Sequence, residues 1–556
     1  MYIRSRYKEC NPKDTVERIK IILSELKIQT SVQWYDNIGA DFSCRVRIIN
    51  ENINLFDIGT NGKGMTKAYA LASAYAEFME RLQNKSLFRD GLKYATKYCS
   101  SIVDKKFRDV LHNKGIELDF LYFPDEVYSE GSGICAPFIN FQTGEKEVIP
   151  IGYYRAACGS TGMCAGNSKE EALCQGLNEI FERYILWKIF SENIQPNQLS
   201  LELFNSNEIY NKINTLKELY EVKIHDWSLG EDYPVIGLLL IRKTDGAYTY
   251  RLGADFNIIT ALERCYTETL QGENAMSYLL KEQIPGAKSN YDDYLKCRHN
   301  GTGRFPSYLL SNFPQNNSFP HKDFKTYKEE LQFWKTWLKD KGYTTFIKDN
   351  SFLNFPAFTI YIPQISDVQI DTCRRKNIID DKTNEFTYVE SRYNLKEGLK
   401  HTHNKLVFTT QKYENLTIWL NPWNRNKNNQ MYTHLAKAMI AISRKEYTAA
   451  LNLISTLIKD IKSSQNTPPK LLVLLKDSLD EYITNNHSSY NEKLDNSLIA
   501  KIIVNPDEVV NQLSIPECFD CMKCKISEDC HFVDIVALEK KIQDIQILYY
   551  NGIMGK

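Results

Sequence analysis

Two distant stretches of this 556-residue chain repeat one pattern, Glu-x-x-Glu-Arg: Glu77-Phe78-Met79-Glu80-Arg81 and Glu179-Ile180-Phe181-Glu182-Arg183. Each follows a glycine-containing entry, Gly59 to Gly64 for the first, and Gly159 to Gly162 continuing to Gly166-Asn167 for the second. Ser168 with Glu171 three residues later forms a capping box, which predicts where the second helix starts. At about 100° per residue, Glu171, Gln175, Glu179 and Glu182 share one face of that helix, and Leu173, Leu177, Ile180 and Tyr184 lie opposite. The first copy repeats the arrangement: Ser73, Glu77 and Glu80 make a polar stripe, while Leu71, Tyr75, Phe78 and Leu82 make the buried one.

Like charges three residues apart repel by only a few tenths of a kcal/mol on an exposed helix. A lone copy therefore reads as a solvated face with an arginine partner. Two copies behind similar entries point to helices that present carboxylates across a shared cleft, with cations between them. Hard oxygen donors suit magnesium, which bridges a few carboxylates to substrate phosphates instead of filling an all-protein cage. A third helical run, Ala261 to Gln271, sets Arg264, Glu268 and Gln271 within about 60° of one another. An arginine on such a face can pair bidentately with phosphate; an Arg264–Glu268 salt bridge within the helix is the alternative. Gly59 to Gly64 lacks the spacing of a phosphate-binding P-loop.

Lys plus Arg and Asp plus Glu number 69 each, so no net field draws the chain to nucleic acid or anionic lipid. The charged, non-apolar start argues against a signal peptide. The longest apolar run, Val235 to Ile241, is a buried strand and too short for a membrane span. Ten of the fourteen cysteines are scattered in apolar contexts, which suits buried thiols in a reducing cytoplasm. The other four, Cys518, Cys521, Cys524 and Cys530, crowd the C-terminus in a spacing that suits zinc or an iron–sulfur cluster. His401-Thr402-His403 is a weaker metal candidate, with no carboxylate or thiol nearby in sequence.

The fold class expected is mixed α/β over residues 1 to about 420, with strands at Cys44–Asn50, Val148–Tyr153, Val235–Arg242, Ala247–Leu252 and Ala357–Ile362. Leu420–Gln430 reads as a linker. A small helical domain follows over 431–505, and a Cys-rich tail with a terminal helix over 506–556. Ala438, Ala441, Tyr447, Ala450 and Leu451 are spaced like one tetratricopeptide hairpin, with an ordinary helical hairpin as the alternative.

Taken in order, three blocks resemble the signatures of the YcaO family. They are Asn61-Gly62-Lys63-Gly64 through Ser73, Glu77, Glu80 and Arg81; Gly162-Met163 through Asn167, Glu171, Gln175, Glu179, Glu182 and Arg183; and Ala261-Leu262-Glu263-Arg264 through Glu268 and Gln271. The resemblance covers residues 1 to about 415, and the overall plan is similar to the stand-alone branch implicated in ribosomal-protein methylthiolation. It implies a mixed α+β ATP-binding domain with several Mg2+ ions between glutamates and phosphates. On this basis Glu77, Glu80, Glu179 and Glu182 are the metal-facing, catalytic carboxylates, joined by Arg264. Lys8, Lys63, Ser73, Asn167, Gln175, Arg183 and Gln271 line the nucleotide site.

The activity implied is phosphorylation of a backbone amide oxygen in a ribosomally made peptide or protein, leading to an azoline, a thioamide or a related group. The alternative is a nucleotide-binding accessory factor for a sulfur-inserting enzyme. The partners expected are a peptide or protein substrate and a separate leader-recognition or sulfur-transfer protein, with no nucleic acid or membrane; a homodimer is left open. Azoline-forming members often end in Pro-x-Pro-x-Pro, whereas this chain ends Asn551-Gly552-Ile553-Met554-Gly555-Lys556. Ser160-Thr161-Gly162 stands where Ser-Asn-Gly is frequent.

Overall fold

The structure is a computed structural model that describes residues 9–35, 42–87, 135–150, 158–269, 291–368, 438–463, 470–484 and 533–554, apart from a few positions within those stretches. It divides into two compact units, one of residues 1–118, 133–372 and 539–556, the other of residues 119–132 and 373–538.

The first unit opens with helix α1 (Pro12–Glu25), whose N-cap Asn11 accepts the Lys13 N–H. Strands β1 (Thr30–Tyr35), β2 (Phe42–Ile48) and β3 (Gly59–Gly64) form an antiparallel sheet, and helix α2 (Lys67–Gln83) lies against it. On β2, Cys44, Val46 and Ile48 alternate inward and are fully buried, the period-two pattern of a half-buried strand. Strands β4 (Cys135–Asn140), β5 (Lys146–Pro150) and β6 (Met163–Ala165) belong to a second sheet. After β6 comes helix α3 (Lys169–Glu192), then β7 (Asn197–Leu199), α4 (Glu208–Leu216), β8 (Tyr220–Asp226), β9 (Val235–Arg242) and β10 (Tyr248–Ala254). Helices α5 (Ile258–Thr269), α6 (Tyr291–His299) and α7 (Tyr327–Asp340) lead to strands β11 (Phe346–Asp349) and β12 (Ala357–Tyr361). The second sheet runs β5-β4-β11-β12-β6 and the third β10-β9-β8-β7; every pairing is antiparallel.

The main core lies around α3. Phe181 stacks on Trp334 of α7 with ring centroids 5.3 Å apart, and meets Trp337 edge-on at 5.1 Å. Sheet residues Leu239, Tyr250, Leu252 and Ile360 close the same cluster. A second cluster joins α4 and α5 to the other face of β8–β10 through Ile213, Ile236, Leu238 and Cys265.

In the second unit, helices α8 (Tyr447–Ser463) and α9 (Lys470–Thr484) pack together, with Tyr447 and Tyr482 in a T-shaped contact at 4.9 Å. Ala438, Ala441 and Ala450 are buried there. Helix α10 (Val533–Met554) closes the described chain. The linker at 420–430 and the boundary at 506 lie outside the described residues, as do Lys8, Gln271, His401, His403 and Cys518, Cys521, Cys524 and Cys530. Among the described residues no helix is long and apolar enough to cross a membrane.

Strand β9 falls where the apolar run predicts it, and β10, β2 and β12 shift by one or two residues. The strand at Val148–Tyr153 is instead Lys146–Pro150, with residues 151–157 outside the described set. Strand β3 is a departure, since a glycine-rich entry has low strand propensity. It forms because α2 comes so close that side chains could not fit. A Cβ on Gly62 would lie 2.1 Å from the Ala70 carbonyl oxygen, and one on Gly64 would lie 2.7 Å from the Ala70 nitrogen.

Candidate functional site

The site starts from two helix entries. Thr66 caps α2 by accepting the Tyr69 N–H at 3.3 Å, and Ser168 caps α3 by accepting the Glu171 N–H at 3.1 Å. Ala70 and Ala74, buried one turn apart, let α2 settle on β3, where the Thr60 hydroxyl donates to the Ala74 carbonyl at 2.8 Å. With Tyr75, Phe78, Met79 and Leu82 turned inward, Glu77 and Glu80 are left half-buried on the opposite side. On α3 the same division buries Leu173, Leu177 and Ile180 and leaves Glu179, Glu182 and Arg183 half-buried.

Carboxylates of the two helices lie within electrostatic reach of one another. Glu80 lies within electrostatic reach of Glu77 and of Glu179 on the other helix, and Glu179 feels Arg183, Arg81, Glu182 and Glu77. Burial is the main reason the Glu80 carboxyl rises well above its usual range; Glu179 and Glu77 push it further, against the pull of Arg81. Burial likewise raises Glu179, opposed by Arg183 and Arg81. Arg81 spans its own helix, with Nη2 at 3.5 Å from Glu77 Oε1 and Nε at 3.5 Å from Glu80 Oε1.

Three more elements bring charged groups to these carboxylates. Lys63 on β3 is in direct ionic contact with Glu268 on α5 and lies within reach of Glu182, Glu77, Arg183 and Arg264. Its side chain is 24% exposed yet hemmed in by protein on most sides, as a residue on a cleft wall would be. Burial draws its ammonium down to about 8, with Glu182 and Glu77 resisting and Arg183 and Arg264 assisting, so it stays charged at neutral pH. Arg264 donates from Nη2 to Gln175 Oε1 at 3.0 Å and lies 3.6 Å from Asp255 at the end of β10. Arg183 donates from Nη1 to the Arg298 carbonyl at 3.5 Å, at the C-terminal end of α6.

Two expected residues sit apart from these pairings. Asn167 is tied to α1, where the Thr15 hydroxyl donates to its Oδ1 at 2.9 Å, and its Nδ2 donates to Glu171 Oε2 at 3.1 Å. Ser73 is half-buried on α2, one turn before Glu77. Sequence reasoning missed Asp255, which no motif marks. It did not foresee that Glu268 pairs with Lys63, whereas the Arg264–Glu268 pair it weighed is replaced by Arg264 with Gln175 and Asp255.

Among the described residues no group of three or more His, Cys, Asp or Glu side chains forms a cage that could hold a metal ion by itself. The donors come as carboxylates from two helices, in pairs interleaved with Arg81, Arg183 and Lys63. Hard oxygens shared between protein and phosphate are how Mg2+ is usually held. Divalent ions would also offset the desolvation and mutual repulsion that raise Glu80 and Glu179. The residues present fit a metal–phosphate ligand.

Comparison with known proteins identifies a family. Residues 61–366, more than half of the chain, match the family model described as YcaO cyclodehydratase, ATP- and Mg2+-binding. The chain is 29% identical over 394 residues to the ribosomal protein S12 methylthiotransferase accessory factor YcaO of Escherichia coli, covering 65% of this chain and 66% of that protein. It is also 29% identical over 340 residues to an uncharacterized protein of Haemophilus influenzae, covering 56% and 57% of the two. The matched stretches thus span from over half to about two thirds of these relatives' own length. Among solved structures, YcaO from Methanopyrus kandleri bound with AMPPCP and Mg2+ aligns with a TM-score of 0.45 and 16% identity, over 67% of this chain and 96% of that one. By its match over residues 61–366, the chain belongs to the YcaO family.

Proposed function

We propose that this chain uses ATP and Mg2+ to activate backbone amide oxygens of a ribosomally made peptide or protein. The observation that carries this is the convergence of Glu77 and Glu80 on one helix with Glu179 and Glu182 on another, ringed by Lys63, Arg81, Arg183 and Arg264. A nucleophile adds to the peptide carbonyl, the resulting oxyanion attacks the γ-phosphorus of ATP as the β–γ P–O bond breaks and ADP leaves, and phosphate then departs with the former carbonyl oxygen. Bound Mg2+ would neutralise charge on the transferring phosphoryl group. The protein would then contribute position and field: Lys63 on β3 and Arg264 on α5 are the cations proposed to hold the phosphates, and Gln175 accepts a hydrogen bond from the Arg264 guanidinium. Such electrostatic placement accounts for most of the rate in phosphoryl transfer. Azoline and thioamide formation share this activation step and differ in the nucleophile.

The test is ATP hydrolysis with and without peptide. Turnover should rise when the peptide is present and vanish in the Glu80→Gln, Glu182→Gln double variant. A wild-type protein that neither binds nor hydrolyses ATP with Mg2+ would overturn the proposal.

One observation favours a second function, that of an accessory factor for a sulfur-inserting enzyme: the Escherichia coli relative carries such a name. An accessory factor would keep partner binding in the double variant, whereas an enzyme would lose its product. The helices of 431–505 are the surface proposed for that partner. The tail cysteines Cys518, Cys521, Cys524 and Cys530 are proposed to hold zinc or an iron–sulfur cluster on the strength of their spacing, which metal analysis and a visible spectrum would tell apart.

A further inference from the structure

The two carboxylate helices are joined by something other than their own packing. The turn between β11 and β12, residues 350–356, grips the end of one helix and the entry of the other.

At the C-terminal end of α2, Gln83 donates from Nε2 to the Phe355 carbonyl at 2.8 Å, and its Oε1 accepts the Leu353 N–H at 2.8 Å. The next residue, Asn84, accepts at Oδ1 from Asn350 Nδ2 at 2.9 Å and from the Thr359 hydroxyl at 2.6 Å. Its Nδ2 donates at 2.9 Å to the carbonyl oxygen of Glu80, one of the carboxylate residues on α2. Gln83, Asn84 and Asn350 are all buried, at 1%, 4% and 0% exposure. At the entry of α3, the Gly166 N–H donates to the Pro356 carbonyl at 3.1 Å. From α1, Arg18 donates to the Asn167 carbonyl at 3.2 Å and the Asn354 carbonyl at 2.6 Å, its guanidinium 5.2 Å from the Phe355 ring centre. Asn354 holds a left-handed backbone, φ 57°, so the turn is sharply shaped where Arg18 meets it.

Buried side-chain bonds to main chain cost the full desolvation of both groups when broken, so one turn holds two helix termini in register. Resting on the function proposed above, we infer that this turn is a clasp that sets the spacing of Glu77 and Glu80 against Glu179 and Glu182, with Gln83 and Asn84 as positioning residues. They touch no ligand; they decide whether carboxylates from two helices stand at the separation that bridging ions require. An ångström of misplacement at a site of this kind costs about two orders of magnitude.

The experiment uses the full-length chain and three variants. Gln83→Met keeps the shape and loses both bonds; Gln83→Glu keeps the acceptor but sets a buried carboxylate oxygen against the Phe355 carbonyl; Leu82→Ala removes buried packing beside them and leaves the clasp. Calorimetry with MgCl2 and a non-hydrolysable ATP analogue measures binding, alongside melting temperature. Binding should weaken about tenfold in Gln83→Met, need more Mg2+ to saturate, and weaken at least as far in Gln83→Glu, while Leu82→Ala melts earlier and binds as wild type. Gln83→Met binding with wild-type affinity while folded would overturn the clasp. So would Leu82→Ala losing affinity in proportion to its melting temperature, since general loosening would then explain both.

A second readout needs no nucleotide. Spin labels attached through azide-bearing residues at Lys67 and Lys169 report the distance between the starts of α2 and α3. Gln83→Met should broaden that distribution, and an unchanged one would refute the inference. Failure of wild type to bind the analogue would instead refute the ATP function, leaving the distance measurement to judge the clasp.

Discussion

Replacing Lys63 with methionine should make the ligand-free protein more stable and the ligand-binding protein worse. The lysine is drawn from 10.5 to about 8, chiefly by burial, which corresponds to roughly 3 kcal/mol of penalty on its charged form at neutral pH. Removing it strands Glu268, its ionic partner, at 30% exposure; an unpaired, half-open carboxylate gives back about 1–2 kcal/mol. The balance is a gain of about 1–2 kcal/mol for Lys63→Met at pH 7, read as a midpoint rise of a few degrees.

The sign changes with pH in a defined window. Between 8 and 10.5 the unfolded chain holds the lysine proton that the folded chain has released, so this group makes the wild type more stable as pH rises. The variant lacks that rise, which exceeds its advantage at pH 7, so the two stability curves should cross at about pH 9 and the wild type should be the more stable above it. A triphosphate loses a charge-assisted bond worth about 1.5–3 kcal/mol, so affinity for ATP with Mg2+ should fall by about 10–100-fold. Denaturant melts of both proteins from pH 7 to 10.5, with calorimetric titration at pH 7, measure all of this. A variant less stable than wild type at pH 7 that also binds ATP normally would show that Lys63 is a structural pair with Glu268 and faces no ligand.

Glu179→Gln should add about 1 kcal/mol to the ligand-free protein at neutral pH. A carboxyl raised by burial stabilises the fold below 4.5 and loses that contribution as pH rises through its folded value, so melts of variant and wild type should coincide at pH 4 and separate above it. In the same variant, Mg2+ with a non-hydrolysable ATP analogue should no longer raise the melting temperature. Gly62→Ala places a Cβ 2.1 Å from the Ala70 carbonyl oxygen and 2.4 Å from the Ala74 nitrogen; moving α2 to make room should cost about 2–3 kcal/mol, visible in a thermal melt.

The two glutamate helices were legible because their information is local. Ser168 and Glu171 mark a start, and a period of 3.6 assigns faces whatever the rest of the chain does. Strand β9 was legible for the same reason, as an unbroken apolar run. Strand β3 was not: its glycines read as a loop until α2 is known to lie on them. The Lys63–Glu268 contact and Asp255 beside Arg264 join strands to helices far away in sequence, and no spacing rule spans such distances. Gln83 and Asn84 stand two and three residues after the first Glu-x-x-Glu-Arg block, yet only the path of the β11–β12 turn gives them a task.

The carboxylates gathered here already outnumber the lysine and arginines that answer them: Glu77, Glu80, Glu179, Glu182, Glu268 and Asp255 against Lys63, Arg81, Arg183 and Arg264. A polyanion arriving alone would meet net repulsion. On the function proposed above, a nucleotide that brings its divalent counterions with it would meet less opposition from these carboxylates than a bare triphosphate.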